Sequence, residues 1–374
     1  MFTDFYNIAS YLSDSEFDFL DNVSLGLRSF TPSFINKHWT EDSFVPEIID
    51  FIKRFGLNGL GISQGSKLLA GLVTLELARV DVSLATFFDI HNGLVIRSIY
   101  NLGTEEQKAK WLPSLYSMDK IGCFAMTEPD SGSDAQGGIS TTAMQGGDGD
   151  WILNGKKRWI GNAPFADVAI VWARDPRDNK LKGFIVEGFK AEKIENKFGL
   201  KIVQNGVITF KDHIIPKENR LEGRFQDILR QARYVVGWEA IGCMIGSFEY
   251  ALQYSKERKQ FGKPIASFQL IQDLLAKMIS NITACQTLAY QCGQLDEKGE
   301  LTDAQVSMCK AFCTSKARET VAMGREILGG NGLSIDYNVG RYFTDAEALY
   351  SYEGTYQMQN LIIGRNITGI SAFV

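Results

Sequence analysis

The side chain best suited to transfer a proton is Glu353, which stands between Tyr352 and Gly354 near the C-terminus. A Glu followed at once by Gly indicates a carboxylate on a turn, and Tyr350 and Tyr352 beside it indicate an apolar pocket. Burial disfavours the ionised form of a carboxyl group and raises its pKa, which makes it a poised proton acceptor. The alternative is an exposed Glu at a loop-to-helix junction, with Thr355 as the helix cap.

Two stretches in the middle of the chain are suited to holding a flat or phosphorylated ligand. Residues 124–134 are rich in hydroxyl groups and in flexible backbone amides, which can hold a phosphate or the polar edge of a ring. The run Lys157-Arg158-Trp159-Ile160-Gly161-Asn162 places an aromatic plane beside a glycine, where a planar group can approach the backbone. Alternatively, the first stretch is a surface loop and Trp159 is a core residue at the end of a strand.

Two sites nearer the C-terminus could also contact a ligand. Arg258 lies at a basic helix end, where it could pair with a pyrophosphate or simply complement the helix dipole. Gly329-Gly330 could admit a ligand or serve as a helix C-cap. Both alternatives stay open at each site.

Composition places the chain among ordinary globular proteins. Hydrophobic residues make up 45% and charged residues 22% of its 374 residues, and 39 basic against 44 acidic side chains give a net charge of −5. We expect no nucleic-acid partner, because no basic cluster is present, and no membrane span or signal peptide. The six cysteines contain no Cys-x-x-Cys and are predicted to be core thiols in a reducing compartment. The three histidines are too scattered for a metal site, and His91 is predicted to be a core or pocket-wall residue.

The elements that must position these residues fall into three segments. Apolar residues at helical spacing fill the first third, with Ser13, Asp81 and Thr104 as predicted helix caps. Short β runs follow, and Asn154-Gly155 predicts a hairpin turn. Helical spacing returns near Phe225. The sequence predicts an α+β fold with an N-terminal helical domain (1–120), a central β domain (121–220) and a C-terminal four-helix bundle (221–374).

Taken in order, five motifs resemble those of the acyl-CoA dehydrogenase and acyl-CoA oxidase flavoprotein family. The motifs are Thr127-Glu128-Pro129-x-Ser131-Gly132-Ser133-Asp134, Trp159-Ile160-x-Asn162, Arg258-x-Gln260-Phe261-Gly262, Leu328-Gly329-Gly330-Asn331-Gly332 and Tyr352-Glu353-Gly354-Thr355. Five motifs in one order are highly specific. The C-terminal run Gly364-Arg365-x-Ile367-Thr368-Gly369-Ile370 is similar to the glutaryl-CoA dehydrogenase branch. Closer still is the short-chain acyl-CoA oxidase of plant peroxisomes, which the runs at 157–162, 203–206 and 315–320 resemble.

The resemblance implies the cofactor FAD and the α,β-dehydrogenation of a short-chain acyl-CoA to the trans-2-enoyl-CoA. Glu353 matches the catalytic base, which takes the α-proton while the β-hydrogen leaves as hydride to flavin N5. Some members carry the base just before the residue that matches Arg233; here that position is Ala232, which favours Glu353.

The resemblance also assigns the remaining site residues. The flavin ring would contact Phe124, Met126, Thr127, Gly132, Ser133, Trp159, Ile160 and Gly161. The FAD diphosphate and adenine would contact Arg258, Gln269, Glu326, Ile327, Gly329 and Gly330, partly across the interface of a homotetramer, and Thr355 and Gln357 would complete the site. The substrate would contact Ser133, Arg233, Gly354, Ala85 and Asp89.

Two positions depart from the pattern of the family. Gly161 stands where most dehydrogenases of the family carry Thr, which predicts a changed flavin potential or greater access of oxygen. Ala85 and Asp89 stand where the glutaryl branch binds a distal carboxylate with Arg and Ser. Asp89 would repel that carboxylate, and either meets a hydroxyl or amine on the acyl chain or is a solvated or helix-pairing Asp.

Several functional alternatives stay open at this stage. The electron acceptor is an electron-transfer flavoprotein or, for an oxidase, O2. A dehydrogenase acting on a carrier-protein-bound acyl or aminoacyl thioester, and a non-catalytic flavin-binding scaffold, are the other hypotheses. The ending Ala372-Phe373-Val374 and the short N-terminus predict a bacterial cytoplasmic protein.

Overall fold

The computed structural model describes residues 3–373, apart from the side chain of Asp227. Met1, Phe2 and Val374, which belong to the two termini from which the location is predicted, lie outside the described residues. The chain forms a helical region, then a β-sheet, then a second helical region, as the sequence predicts. The division at residues 120 and 220 stays a prediction.

The first helical region owes its boundaries to side chains that cap the helices. Ser13 and Thr104 form capping boxes with Glu16 and Gln107, and Asp81 accepts a hydrogen bond from the Ser83 N–H. All three predicted caps are therefore confirmed. Within the described residues the α-helices of this region are α1 (Asp14–Leu27), α2 (Pro32–Glu41), α3 (Glu47–Phe55), α4 (Lys67–Val80), α5 (Val82–Asp89), α6 (Arg97–Leu102) and α7 (Glu105–Tyr116). A π-helical segment, Ile90–Ile96, joins α5 to α6.

The sheet follows, and it is mixed. Its order is β6-β7-β3-β2-β4-β5-β8, and β1 pairs with β4 in parallel. Its central strand β4 is almost wholly buried, as predicted. The strands are β1 (Gly122–Ala125), β2 (Thr142–Gln145), β3 (Trp151–Gly161), β4 (Val168–Asp175), β5 (Lys180–Val186), β6 (Ala191–Lys193), β7 (Asn205–Ile215) and β8 (Arg220–Leu221).

The predicted hairpin turn at Asn154-Gly155 is wrong. Strand β3 runs through both residues, and its register against β7 shifts between Leu153 and Gly155. A Cβ at position 155 would lie 2.5 Å from Thr141 Oγ1, and Gly155 has φ +146°, so glycine here serves a bulge and a close approach. The dipeptide that favours a tight turn therefore bends a long strand instead.

The second helical region forms a bundle of long helices. Its elements are α8 (Phe225–Glu257), the short strands β9 (Lys259–Gln260) and β10 (Lys263–Pro264), α9 (Gln269–Glu297), α10 (Asp303–Ile327), α11 (Val339–Ser351) and α12 (Tyr356–Thr368). The small residues of α8 allow the close packing that they predict, since a Cβ at Gly242 would lie 2.3 Å from the Leu75 carbonyl oxygen of α4.

A buried clamp connects the two helical regions. Arg341 on α11 forms a salt bridge with Asp81, and both side chains are almost completely buried. The neighbouring Tyr342 hydroxyl donates to the carbonyl oxygens of Arg79 (2.6 Å) and Val80 (3.0 Å). The start of α5 is thereby fixed against α11, the helix that leads to Glu353.

His91 is a core residue, as predicted. Its Nδ1 accepts from the Gly122 N–H (3.0 Å), which leaves Nε2 to donate to the Leu115 carbonyl (2.9 Å). Burial lowers the pKa of His91 to about 4, so the ring is neutral near pH 7. The six cysteines are all buried and free. Within residues 3–373, no helix combines the length and apolar character that crossing a bilayer requires.

Candidate active site

A cavity of about 1580 Å³ lies where the three regions meet. It exceeds the roughly 300–1,000 Å³ typical of a site for one small molecule, so it has room for two ligand groups side by side. Many of the residues singled out from the sequence line it. They are Asp89, Phe124, Met126, Thr127, Gly132, Ser133, Trp159, Ile160, Gly161, Arg233, Glu353, Gly354 and Thr355.

Other predicted site residues lie outside this cavity. Ala85 is fully buried one helical turn before Asp89, so the structure gives no support for its contact with substrate. The residues assigned to the FAD diphosphate and adenine are also absent from the cavity wall, as is Gln357. They are Arg258, Gln269, Glu326, Ile327, Gly329 and Gly330.

Glu353 lies on the turn between α11 and α12, half-buried and facing the cavity. Thr355 caps α12 by accepting from the Met358 N–H at 3.3 Å, which is the part of the alternative interpretation that holds. Glu353 itself has φ +52°, in the left-handed region that disfavours residues with a Cβ. The Gln359 amide holds this conformation by donating to the carbonyl oxygens of Glu353 (3.1 Å) and Gly354 (2.9 Å).

The pKa of Glu353 reflects two opposing effects. Burial raises the pKa of the carboxyl group, as the sequence predicts, and the positive charges of Lys310 and Arg233 oppose the rise. These cations come from α10 and α8, two helices distant in sequence from the turn. Sequence reasoning missed Lys310. The signal was its place among Val306, Cys313 and other buried residues at helical spacing.

A buried ion pair joins the two ligand-holding stretches. Lys157 Nζ lies 2.9 Å from Glu128 Oε1 and donates to the Met126 carbonyl oxygen at the same distance. Glu128 also accepts from the N–H groups of Ser140 (2.7 Å) and Thr141 (2.9 Å). The 124–134 loop and the end of β3 are therefore held as one unit at the cavity wall.

Trp159 and Gly161 lie at the end of β3, in the part of the cavity wall held by the Lys157–Glu128 pair. Trp159 has φ +63° and is 51% exposed, so the alternative of a core Trp is wrong. A Cβ at Gly161 would lie 2.3 Å from Ile90 Cδ1. The Ile90 side chain thus occupies the space that a larger residue 161 would need.

Two carboxyl groups meet at another part of the cavity wall. Burial and the charge of Glu239 raise the pKa of Asp89 well above its usual value, and burial raises the pKa of Glu239 to about 7. Glu239 accepts from the Tyr352 hydroxyl, and Asp89 Oδ1 accepts from Thr74 at 3.3 Å. Like charges this close favour a shared proton over two ionised groups. The alternative of a solvated Asp89 is therefore wrong. Glu239 was missed, although a Glu between Trp238 and Ala240 in the apolar stretch of α8 was a signal.

The cavity residues fit a flavin ring. A Cβ at Gly132 meets nothing within 4 Å, so the hydroxyl-rich loop leaves open space toward the cavity. Trp159 offers an exposed aromatic face beside it, and Thr127 and Ser133 offer hydroxyl groups. This donor set suits the polar edge and the flat face of an isoalloxazine.

Comparison with known protein families identifies three consecutive matches. The acyl-CoA dehydrogenase N-terminal domain matches residues 17–119, the middle domain matches 123–213, and the C-terminal domain matches 223–368. The three matches follow one another along almost the whole chain.

Individual relatives agree with these matches. The chain is 34% identical to the caffeyl-CoA reductase–Etf complex subunit CarC of Acetobacterium woodii, over 90% of this chain and 93% of that protein. It is 32% identical to a short-chain specific acyl-CoA dehydrogenase of Megasphaera elsdenii, over 94% and 98%. A glutaryl-CoA dehydrogenase from Mycobacterium smegmatis, solved in complex with FADH2, superposes with a TM-score of 0.94 at 30% identity, covering 99% of this chain and 98% of the other. Closeness to the plant oxidase stays a prediction.

We expect the ligand-holding loop to loosen in acid. The pKa of Glu128 is lowered from 4.5 to about 2 by its hydrogen bonds to Ser140 and Thr141 and by Lys157, which together outweigh burial. A lowered folded-state pKa stabilises the fold above the unfolded value and loses that effect as pH falls through the folded value. Hydrogen exchange at the Ser140 and Thr141 amides, corrected for its intrinsic pH dependence, should therefore accelerate between pH 4.5 and about 2.

Glu128→Gln provides the matched control for this experiment. The variant cannot titrate, so its Ser140 and Thr141 amides should exchange without a pH-dependent step over the same range. Amides of the central strand β4 should be unaffected in both proteins. An equal acceleration of exchange in the wild type and the variant would show that protonation of Glu128 is not its cause.

Proposed function

The chain belongs to the acyl-CoA dehydrogenase family, its cofactor is FAD, and we propose that it desaturates a short-chain acyl-CoA between Cα and Cβ with Glu353 as the base. The main support for this proposal is Glu353 itself, a carboxylate whose pKa is raised and which is held on a fixed turn at the cavity wall. FAD, when bound, supplies the acceptor for the β-hydrogen. The relative of Megasphaera elsdenii named as short-chain specific supports the substrate class.

The chain's own residues prepare the substrate for loss of a weakly acidic proton. Negative charge develops on the thioester oxygen as the α-proton leaves, so a hydrogen-bond donor must face that oxygen. We assign this donor to the backbone N–H of Glu353, which shares the turn with the base. Ser133, Arg233 and Gly354 line the same cavity and are the proposed contacts to the thioester ligand.

Replacing the base tests the proposal. Glu353→Gln keeps the size of the side chain but cannot accept the proton, so anaerobic bleaching of the flavin by butyryl-CoA should slow by at least ~10²-fold. Glu319→Gln, a change at an exposed salt bridge with Lys316, is the control and should bleach at the wild-type rate. Butyryl-CoA should still perturb the flavin spectrum of Glu353→Gln, which separates lost chemistry from lost binding. Full-speed bleaching by this variant would overturn the proposal.

The acyl chain is proposed to end beside Asp89 and Glu239. The charge of Glu239 raises the pKa of Asp89 well above its usual value, so we infer that the pair keeps one proton, carrying negative charge while still offering a hydrogen-bond donor. A hydroxyl or amine on the acyl chain can bond there, whereas a carboxylate would meet like charge. The glutaryl-CoA specificity of the related structure is therefore not proposed for this chain.

A comparison of acyl-CoA substrates with and without a distal carboxylate is the second test. We expect kcat/KM for glutaryl-CoA to lie roughly 100-fold below that for butyryl-CoA at pH 8, because juxtaposed like charges cost several kcal/mol. The difference in kcat/KM should narrow as pH falls through about 7, the pKa of Glu239, and the double variant Asp89→Asn/Glu239→Gln, which removes both titrating groups, should narrow it at every pH. Asp273→Asn, at an exposed pair with Lys277, is the control. Equal use of both substrates by the wild type would contradict the assignment.

An electron-transfer flavoprotein is the proposed electron acceptor. Gly161 lacks the hydroxyl common in the family, but Ile90 occupies the adjacent space, so no opening for O2 results. The relative named as part of a complex with such a flavoprotein supports the same choice. An oxidase reaction is the alternative.

Peroxide release distinguishes the two acceptors. Under air and without electron-transfer flavoprotein, the wild type should yield hydrogen peroxide near zero, because Ile90 closes the space beside Gly161. Ile90→Ala should raise the yield by opening that space. Adding the flavoprotein should restore wild-type turnover. Stoichiometric peroxide from the wild type would reject the dehydrogenase in favour of the oxidase.

The predicted FAD contacts outside the cavity point to an assembly. We propose that Arg258, Gln269, Glu326 and the 327–330 segment bind the FAD diphosphate and adenine partly across the interface of a homotetramer, and that Gln357 completes the FAD site. Phe261, beside Arg258, is 93% exposed in the single chain, which supports contact with another copy. The cytoplasmic location stays a prediction.

A further inference from the structure

Lys310 occupies an unusual position for a charged side chain. It lies in the middle of α10 and is 0% exposed. It is not part of the cavity wall, so it contacts neither substrate nor cofactor there. Lysine is almost never fully buried unless it is paired, so the role of this ammonium must lie in what surrounds it.

Its hydrogen bonds flank the turn that carries Glu353. Lys310 Nζ donates to the carbonyl oxygens of Tyr350 (3.3 Å) and Gly354 (2.9 Å), one on each side of the carboxylate-bearing residue. The Tyr350 carbonyl belongs to the last turn of α11, where helices leave carbonyl groups without partners in the helix. Lys310 therefore fixes the end of the helix and the turn together.

The conformation of the turn requires such support. Glu353 has φ +52° and Gly354 has φ +84°, so two successive residues are left-handed. A left-handed residue with a Cβ persists only where its surroundings hold it. Lys310 does so from α10, and Gln359 does so from α12.

Lys310 also supplies charge. Among the described groups, it opposes the effect of burial on the Glu353 carboxyl more than Arg233 does. Burial lowers the pKa of Lys310 to about 7, and Glu353 and Glu239 act against that fall while Arg233 adds to it. Two further charged groups line the same cavity as Glu353: Asp303, which lies 3.7 Å from Arg233, and Arg365.

We propose that Lys310 is a positioning residue for the base: it holds the turn of Glu353 by two carbonyl groups and keeps the carboxylate ionised by its charge. This inference rests on the proposed role of Glu353. It separates two tasks, since the hydrogen bonds set the direction of the carboxylate and the charge sets the pH range in which it can accept a proton.

Two variants separate these tasks. Lys310→Gln retains N–H donors without charge, whereas Lys310→Met retains neither. In both, the acidic limb of the kcat/KM profile for butyryl-CoA should move up by roughly one pH unit, because an opposite charge no longer favours the carboxylate. In Lys310→Met alone, kcat at the pH optimum should also fall by roughly tenfold, because a misplaced reacting group costs rate. Lys316→Met, on the same helix but partly exposed and paired with Glu319, is the matched control and should change neither quantity.

A second measurement needs no turnover. Infrared difference titration of wild type against Glu353→Gln isolates the carboxyl band of Glu353, and its midpoint should rise in both Lys310 variants. If no acyl-CoA bleaches the wild-type flavin but the midpoint moves, the proposed function fails and the effect of Lys310 on the carboxyl group stands. If bleaching is normal and both the midpoint and the acidic limb stay at their wild-type pH, the role of Lys310 is overturned. Failure of both variants to fold with FAD bound would also count against it, because a role confined to one turn predicts a folded protein.

Discussion

The buried salt bridge between Asp81 and Arg341 is the constraint on which the site depends. Asp81 caps α5, which ends at Asp89, and Arg341 lies on α11, which ends at the turn of Glu353. This one ion pair thus fixes the cavity wall that carries Asp89 relative to the turn that carries Glu353. Breaking such a buried pair by removing one partner typically costs about 3–5 kcal/mol, because the remaining charge is left without compensation. As a consequence, α5 and α11 cannot move independently of each other without breaking this pair.

The same cavity holds two sets of carboxyl groups in different electrostatic surroundings. Burial raises the pKa of Glu353, and cations on two helices act against it. Burial and the charge of Glu239 raise the pKa of Asp89, so this carboxyl group favours its protonated form. A base that must be ionised and a contact that must keep a proton can therefore coexist in one enclosed space. The difference comes from the neighbours of each group, since all three are acids of the same kind.

Local signals in the sequence predicted local features well. The caps at Ser13, Asp81 and Thr355 follow from hydroxyl or carboxyl groups placed at the start of apolar helical spacing, and each accepts the expected backbone hydrogen bond. Asn154-Gly155 failed because turn propensity was overridden by strand pairing on both sides. A dipeptide reports backbone preference, whereas a sheet decides which of the allowed conformations is used.

Contacts between distant segments could not be read in the same way. Glu353 was found from its own neighbours, but Lys310, 43 positions earlier, reaches it only through the packing of α10 against the turn. Lys157 and Glu128 were both seen in candidate stretches, yet nothing in their spacing showed that they pair. Ala85 was named from the resemblance to the family, but its short side chain is fully buried and does not line the cavity, although Asp89 one helical turn later does.

The burial of all six thiols bears on how the protein withstands oxidants. Burial raises the pKa of Cys123 and Cys243, so these groups stay protonated, and the thiol is a far poorer nucleophile than the thiolate. Hydrogen peroxide reacts with exposed thiolates first. Cys123 and Cys243 are therefore poor targets for sulfenic acid formation, whichever acceptor the flavoprotein uses.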